Sequence, residues 1–281
     1  MNSNFAKSAV LVLAAALCIS SALAKDWKTV VIATEGAYAP WNLTDSNGKL
    51  VGFEVDLAND ICKRASLKCK IVAQDWDGMI AGLQADKFDV IMDGMSITEP
   101  RMKQIMFSRP YATTPAVFMA RKDSPLAKAN NAGKIINLTK ELSAGDAAIK
   151  VVRAALAGKT IGVQASTTHA NFADKYLKDV ASIKEYKTAD ARDLDLKAGR
   201  IDAALDAYPT IAAAAEKEDA KDFAIVGPKF AGGVFGVGVG LGIRKSDADL
   251  ASKFNAALDE AFADGSVKKY SMRWFNIDTT P

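Results

Sequence analysis

Histidine is almost missing from this chain of 281 residues, His169 being the single one, and cysteine occurs only at Cys18, Cys62 and Cys69. So few imidazole and thiolate ligands make a structural zinc site an unfavourable reading, and no Ser–His–Asp or Cys–His constellation stands out. Charge of one sign is also scarce. The net charge is +3, and no arginine-rich run or aromatic–basic interleaving appears, which argues against a nucleic-acid partner. There is no GKS/T loop or GxGxxG leading from strand into helix, so no phosphate-binding cofactor is expected. No period of 20–50 residues recurs, against a solenoid. Past the N-terminus no uninterrupted apolar stretch is long enough to cross a bilayer.

The one marked apolar run, Ala9–Ile19, is itself too short to span. Lys7 precedes it and Ala22-Leu23-Ala24 follows as a small-x-small pattern, so residues 1–24 read as a signal peptide cleaved after Ala24. Leu17 precedes Cys18 where a lipoprotein signal takes a small residue, so no lipid anchor is expected. Export leaves Cys62 and Cys69 as the only cysteines of the mature chain, a disulfide candidate; two buried thiols are the alternative.

From Trp27 the pattern alternates strand and helix. Val30–Ala33, Cys69–Ala73 and Phe88–Met92 read as strands, with helices over Glu54–Ala65 and Asp77–Lys87 between them. Ala116–Ala120 is a further strand. The polar segment Asp123–Asp146 breaks the rhythm, and a second α/β series then runs from Ala147 to Val226. Phe235–Ile243, alternating glycine with apolar residues, reads as a strand, and a helix capped by Ser246 closes the chain. The fold class is therefore α/β, with two lobes of mainly parallel sheet facing each other across a cleft.

Four loops follow strands, where α/β folds place ligands. They contain Glu35 and Tyr38; Trp76; Asp93, Gly94, Ser96 and Arg101; and Gln164, Ser166, Thr168 and His169. In MSITEPR, Thr98 reads as an N-cap with Pro100 in the first turn. Arg101 there opposes the helix dipole, which makes sense if it reaches back to hold a carboxylate; otherwise it is a solvated surface arginine. Acids, aromatics, one arginine and hydroxyls together suit a zwitterionic or cationic small molecule. Each has a plainer reading: Trp76 as a surface anchor, His169 as a helix cap, Asp93 as the partner of a nearby lysine or arginine.

The segments IATEGAYAPWN, LVGFEVDLANDICKR, QDWDGMI, MSITEPR, GVQASTTHANF and AGRIDAAL resemble the periplasmic amino-acid-binding proteins of ABC importers. The likeness runs over residues 27–278, to lysine/arginine/ornithine and histidine binders and more closely to octopine and nopaline binders. It implies a type II periplasmic binding protein fold: lobe 1 from residues 25–113 and 236–281, lobe 2 from 114–235, joined by two hinge strands. It also implies a disulfide between Cys62 and Cys69, a periplasmic monomer serving an inner-membrane ABC permease, and no cofactor, metal or catalysis. An exported amino-acid dehydratase on the same fold, or a receptor for a chemosensor, are the alternatives. By position Arg101 matches the arginine for the ligand carboxylate, with Ser96 and the Thr168 turn as helpers. Glu35, Tyr38 and Trp76 match the walls of the side-chain end. Two positions depart from the pattern. Ala207 stands where basic amino-acid binders carry an acid for the α-ammonium, with Asp206 one residue earlier on the other strand face. Asp93 replaces a small residue and adds charge to the side-chain end.

Overall fold

A computed structural model of the protein describes residues 27–129 and 133–281. The expected signal peptide, its cleavage site and Cys18 lie outside the described residues. The chain begins with β1 (Thr29–Thr34), the short strands β2 (Ala37–Tyr38), β3 (Asn42–Thr44) and β4 (Leu50–Val51), and α1 (Phe53–Arg64). It continues through β5 (Lys68–Ala73), α2 (Met79–Gln84), β6 (Val90–Ile91), α3 (Glu99–Gln104) and β7 (Met106–Phe107). The second series comprises β8 (Ala116–Arg121), β9 (Ile135–Asn137), α4 (Leu142–Leu156), β10 (Thr160–Gln164) and α5 (Thr168–Tyr176). After these come β11 (Ser182–Tyr186), α6 (Ala189–Lys197), β12 (Ala203–Ala207), α7 (Tyr208–Ala215) and β13 (Phe223–Ala231). The last elements are β14 (Gly242–Ile243), α8 (Ala248–Ala263) and α9 (Ser266–Phe275).

Two large sheets result, ordered β5-β1-β6-β14-β7 and β11-β10-β12-β8-β13-β9, one to each lobe, and β2-β3-β4 form a small third sheet. Pairings made within each βαβ series are parallel, as crossover helices require: β1 with β5 and β6, β10 with β11 and β12. Strands added where the chain changes sheet run antiparallel: β14 lies between β6 and β7, and β8 between β12 and β13. The sheets are thus more mixed than the sequence suggests. Alternation along each strand feeds a separate core on each face. Val30 and Ile32 of β1 pack with Leu57, Ile61 and Phe254, whereas Ala33 meets Met79, Leu83 and Phe88 on the other side. In the second lobe Phe118 and Leu205 point to one core, and Met119 and Ala204 to the other.

The chain passes between sheets twice, after β7 and between β13 and β14, and the crossings touch. Tyr111 N donates to Val239 O and Val239 N to Ala112 O, both at 2.8 Å. Within the second crossing the expected long strand does not form; only Gly242 and Ile243 join a ladder. Gly232, Gly236 and Gly238 take φ of +66°, +78° and +137°, and a Cβ at Gly236 would lie 2.1 Å from Ile97 O. Glycine is what lets the backbone turn and approach there. Other boundaries also moved. The helix expected from Ala147 starts at Leu142, inside the polar segment that also holds β9. Asp247, not Ser246, occupies the N-cap of α8, and Gly265 ends α8 only to start α9.

Cys62 at the end of α1 and Cys69 in β5 form the disulfide, with Cα atoms 6.1 Å apart. Closing so short a loop restricts the unfolded chain by about 2–3 kcal/mol. Cys62→Ser with Cys69→Ser is therefore expected to melt roughly 5–10 °C below the parent in non-reducing buffer; coincident melting curves would show that the bridge contributes nothing.

Candidate functional site

The carboxyl ends of the parallel strands in both lobes open on the same cleft, the position at which such sheets expose ligand-binding loops. Glu35 follows β1, Trp76 follows β5, and Asp93 and Gly94 follow β6. From the other lobe Gln164 ends β10, and Thr168 and His169 begin α5. Ten of the twelve residues expected at the site line one compartment of about 30 Å³: these seven together with Tyr38, Ser96 and Arg101. The other two, Ser166 and Asp206, are set back from it. Thr167 joins the lining and was missed. Its hydroxyl accepts from Ala170 N at 3.1 Å and donates to Gln164 O at 2.7 Å, tying the start of α5 to the end of β10. The Thr98 side chain, by contrast, makes no capping bond to α3.

Beneath the first-lobe wall lies a network of buried acids. Asn42 donates through Nδ2 to Glu54 Oε2 at 2.7 Å and to Asp93 Oδ1 at 2.8 Å, while its own Oδ1 accepts from Gly36 N at 2.7 Å. Glu54 Oε1 also accepts from Gly94 N at 2.6 Å and from the Tyr111 hydroxyl. Asp93 Oδ1 accepts from Glu35 N at 2.8 Å, yet the buried Oδ2 has no partner at all. Burial, and then repulsion from Glu54 and Glu35, holds the Asp93 carboxyl well above its ordinary value. No lysine or arginine among the described residues forms an ion pair with Asp93, so the rival pairing considered above is not made. Gly94, at φ +59°, leaves room for the Tyr38 ring; a Cβ would come 2.8 Å from Tyr38 Cε1.

The second-lobe wall rests on a compensated charge. Arg192, fully buried, pairs with Asp206 and with Asp193. Burial disfavours the Asp206 carboxylate, but Arg192 and then His169 hold it below its ordinary value. Asp206 Oδ1 also accepts from Tyr38 OH at 2.7 Å and lies 3.7 Å from His169 Nδ1. Its partners Tyr38 and His169 line the compartment, so Asp206 stands behind the lining and orients it. Burial pushes the His169 imidazole down, with Asp206 offsetting only part, which favours the neutral ring packed against Phe235.

Arg101 does reach back over its turn. Nη1 donates to Ser96 O at 3.1 Å, Nη2 donates across the cleft to Ser166 O at 3.3 Å, and the guanidinium lies 5.3 Å from the centre of the Trp76 ring. Burial lowers it to about 10, and Asp93 opposes that shift. Further cross-cleft bonds join Gln164 Nε2 to Glu35 Oε1 at 2.9 Å and Trp76 Nε1 to Ala165 O at 3.1 Å. A second chamber of about 440 Å³ adjoins the first on the hinge side, sharing Tyr38, Gly94, Ser96, Thr168 and His169 with it.

A two-lobed α/β protein with one such cleft between its lobes has the form of an extracellular receptor for small solutes. Residues 30–277 match the bacterial extracellular solute-binding proteins, family 3, and the chain belongs to that family. By that membership it is a solute-binding protein and not an enzyme. It is similar to the octopine-binding periplasmic protein of Rhizobium meliloti, 42% identical over 95% of this chain and 97% of the relative. It is also similar to the arginine-binding periplasmic protein of Mannheimia haemolytica, 34% identical over 92% of this chain and 94% of the relative. A solved Salmonella typhimurium periplasmic binding protein of high arginine specificity matches with a TM-score of 0.74 at 27% identity, over 88% of this chain and 99% of its own. Among the described residues no helix is long and apolar enough to cross a membrane.

Burial, the largest influence, raises the Glu35 carboxyl to about 7; the Gln164 bond counteracts it, and Asp206, Asp75 and Asp77 add to it. Between 4.5 and 7 the folded protein therefore holds a proton that the unfolded chain releases, and this group's contribution to stability falls as pH rises through that window. Glu35→Gln removes the penalty and still offers Gln164 an acceptor. Its melting temperature relative to the parent is expected to be clearly higher at pH 8 than at pH 4; an unchanging difference would place the Glu35 carboxyl at its ordinary value.

Proposed function

We propose that the protein is the periplasmic solute-binding component of an ABC importer. In this reading it is a monomer, exported by residues 1–24, that carries a basic amino acid or an arginine-derived opine to an inner-membrane permease. The observation that carries this reading is an arginine and a carboxyl group of one compartment that are both left uncommitted. Arg101 has no carboxylate within ion-pair distance among the described residues, and Asp93 Oδ2 is buried without a partner. Such groups are expensive to bury unless something pairs with them. A zwitterion with an additional cation does so: its carboxylate meets Arg101 in a forked, charge-assisted contact, and its side-chain cation sits between Asp93 and Glu35. A guanidinium suits that end, because its five N–H donors can be divided between two carboxylates.

A compartment of about 30 Å³ is far smaller than a pocket for an amino acid. Ligand entry therefore requires the lobes, residues 25–113 with 236–281 and residues 114–235, to separate about the two crossings and close again. The bond from Gln164 to Glu35 is then given up to the ligand, and Trp76, Ser96, Ser166, Thr168 and His169 complete the wall. The similarity to octopine- and arginine-binding relatives supports the same ligand class.

Calorimetric titration with arginine, octopine and neutral amino acids tests the proposal. Truncating one partner of a buried charge pair costs about 2–5 kcal/mol, so Arg101→Ala is expected to weaken binding by roughly 10²-fold or more, with Arg101→Lys recovering part. Glu35→Gln and Asp93→Ala are expected to lose arginine-type ligands far more than neutral ones. Unaltered affinity in a folded Arg101→Ala protein, or a parent that prefers leucine or glutamate, would refute the assignment.

The proton held by Glu35 gives a second test. A bound cation favours the carboxylate, so binding near pH 6 should release protons, and affinity should rise with pH between about 5 and 8. Titrations in buffers of different ionisation enthalpy measure that release, which Glu35→Gln should diminish. Binding independent of pH with no proton exchange would remove Glu35 from the ligand's cationic end.

A further inference from the structure

The two walls of the cleft meet at a contact that needs no ligand to complete it. Tyr38, in β2 of the first lobe, donates from its hydroxyl to Asp206 Oδ1, in β12 of the second, at 2.7 Å, and both side chains are buried. We propose that this bond is a latch that draws the lobes together without ligand, and that Arg192 is the positioning residue that fixes its acceptor. A solute then shifts a balance between open and closed forms that the latch has already biased toward closure.

Three observations carry the latch. First, it differs from the other bonds across the cleft. Gln164 to Glu35 and Arg101 to Ser166 O use groups that the ligand proposed above would claim. Lys187 Nζ and Asp75 Oδ2, 2.8 Å apart, span the cleft too, but their side chains are 66% and 69% exposed, where an ion pair contributes little. Asp206 lines neither the small compartment nor the hinge-side chamber, so a molecule held in either does not compete for it.

Second, apolar contact surrounds the bond. Ala189, at the start of α6, and Ala207, at the end of β12, belong to the second lobe by chain, yet both pack into the first-lobe core that contains Tyr38 and Trp41. Their methyl groups help to keep water off the hydroxyl, and a hydrogen bond to an ion is stronger in such surroundings.

Third, both ends are held before they meet. The Tyr38 ring lies nearly parallel to Trp41, with centres 6.2 Å apart and planes at 7°, in the space that Gly94 leaves for it. On the other lobe, Asp206 Oδ1 also accepts from Ala207 N at 2.7 Å, while Oδ2 is taken by Arg192, which is itself paired with Asp193. A carboxylate kept charged by a buried guanidinium can only accept, so the tyrosine has to be the donor and the direction of the bond is set. Little rotamer freedom is left to lose when the lobes come together.

The test compares the parent with Tyr38→Phe, Asp206→Asn and the double variant. Tyr38→Phe keeps the ring that lies on Trp41, and Asp206→Asn leaves Arg192 its pairing with Asp193. A hydrogen bond to a charged group favours closure by roughly tenfold or more, so small-angle scattering without added ligand should give Tyr38→Phe a larger radius of gyration than the parent. In stopped flow, arginine should leave Tyr38→Phe roughly tenfold faster or more, and lysine by the same factor, because the latch acts on closure and not on the ligand's side chain. Asp206→Asn should open the lobes in the same direction. Added to Tyr38→Phe it should change little further, as expected for two ends of one bond. Equal radii for the parent and Tyr38→Phe, full additivity of the two substitutions, or losses that differ between arginine and lysine would overturn the latch. A parent that binds neither amino acid would overturn the function proposed above, and the scattering comparison, which uses no ligand, would still decide the latch.

Discussion

Asn42 holds the first-lobe wall together. One amide donates to two buried carboxylates and accepts a backbone N–H in return, so every polar atom of its side chain is used. Through it β3, α1 and the turns after β1 and β6 are brought to one point, and the Tyr111 contact with Glu54 extends the network to the first crossing. Two acids buried side by side are unstable unless donors surround them. Here the donors are spent almost entirely on Glu54 and on one oxygen of Asp93. The other oxygen is left over, and the acid that faces the cleft is aimed by the one that does not.

The opposite wall solves a comparable problem in a different way. Asp206 is neutralised by a buried arginine, and that pair carries Tyr38 and the neighbourhood of His169. One lobe thus presents acids without a cation, whereas the other presents a charge already cancelled. In the function proposed above, the first receives the ligand's cationic end, and the second gives a firm polar surface opposite it. Tyr38 belongs to the first lobe by chain and bonds to Asp206 of the second, so its hydroxyl links the two walls.

Much of this was legible from the sequence because it is local. Strand-to-helix turns announce themselves by apolar runs ending in small polar residues, and an arginine in a first helical turn is conspicuous because it opposes the dipole. The disulfide partners are seven residues apart, and ten of the expected site residues do line one compartment. What escaped depends on distance along the chain. Asn42 meets Asp93 across 51 residues and Tyr38 meets Asp206 across 168, and no periodicity encodes either encounter. The run from Phe235 to Ile243 alternates like a strand, but its glycines serve positive φ and close contact instead of a ladder.

The paired crossings have a topological consequence. Because the backbone passes between the lobes twice, a single cut in either crossing leaves the second lobe joined by the other to one part of the first, and β14, paired with β6 and β7, keeps the two fragments of the first lobe in one sheet. The Tyr111 and Ala112 bonds to Val239 would still hold the severed strand in register. A cut at either crossing therefore divides the chain without at once separating the lobes. The same doubling opposes twist and shear between the lobes, because two adjacent connections resist relative rotation better than one.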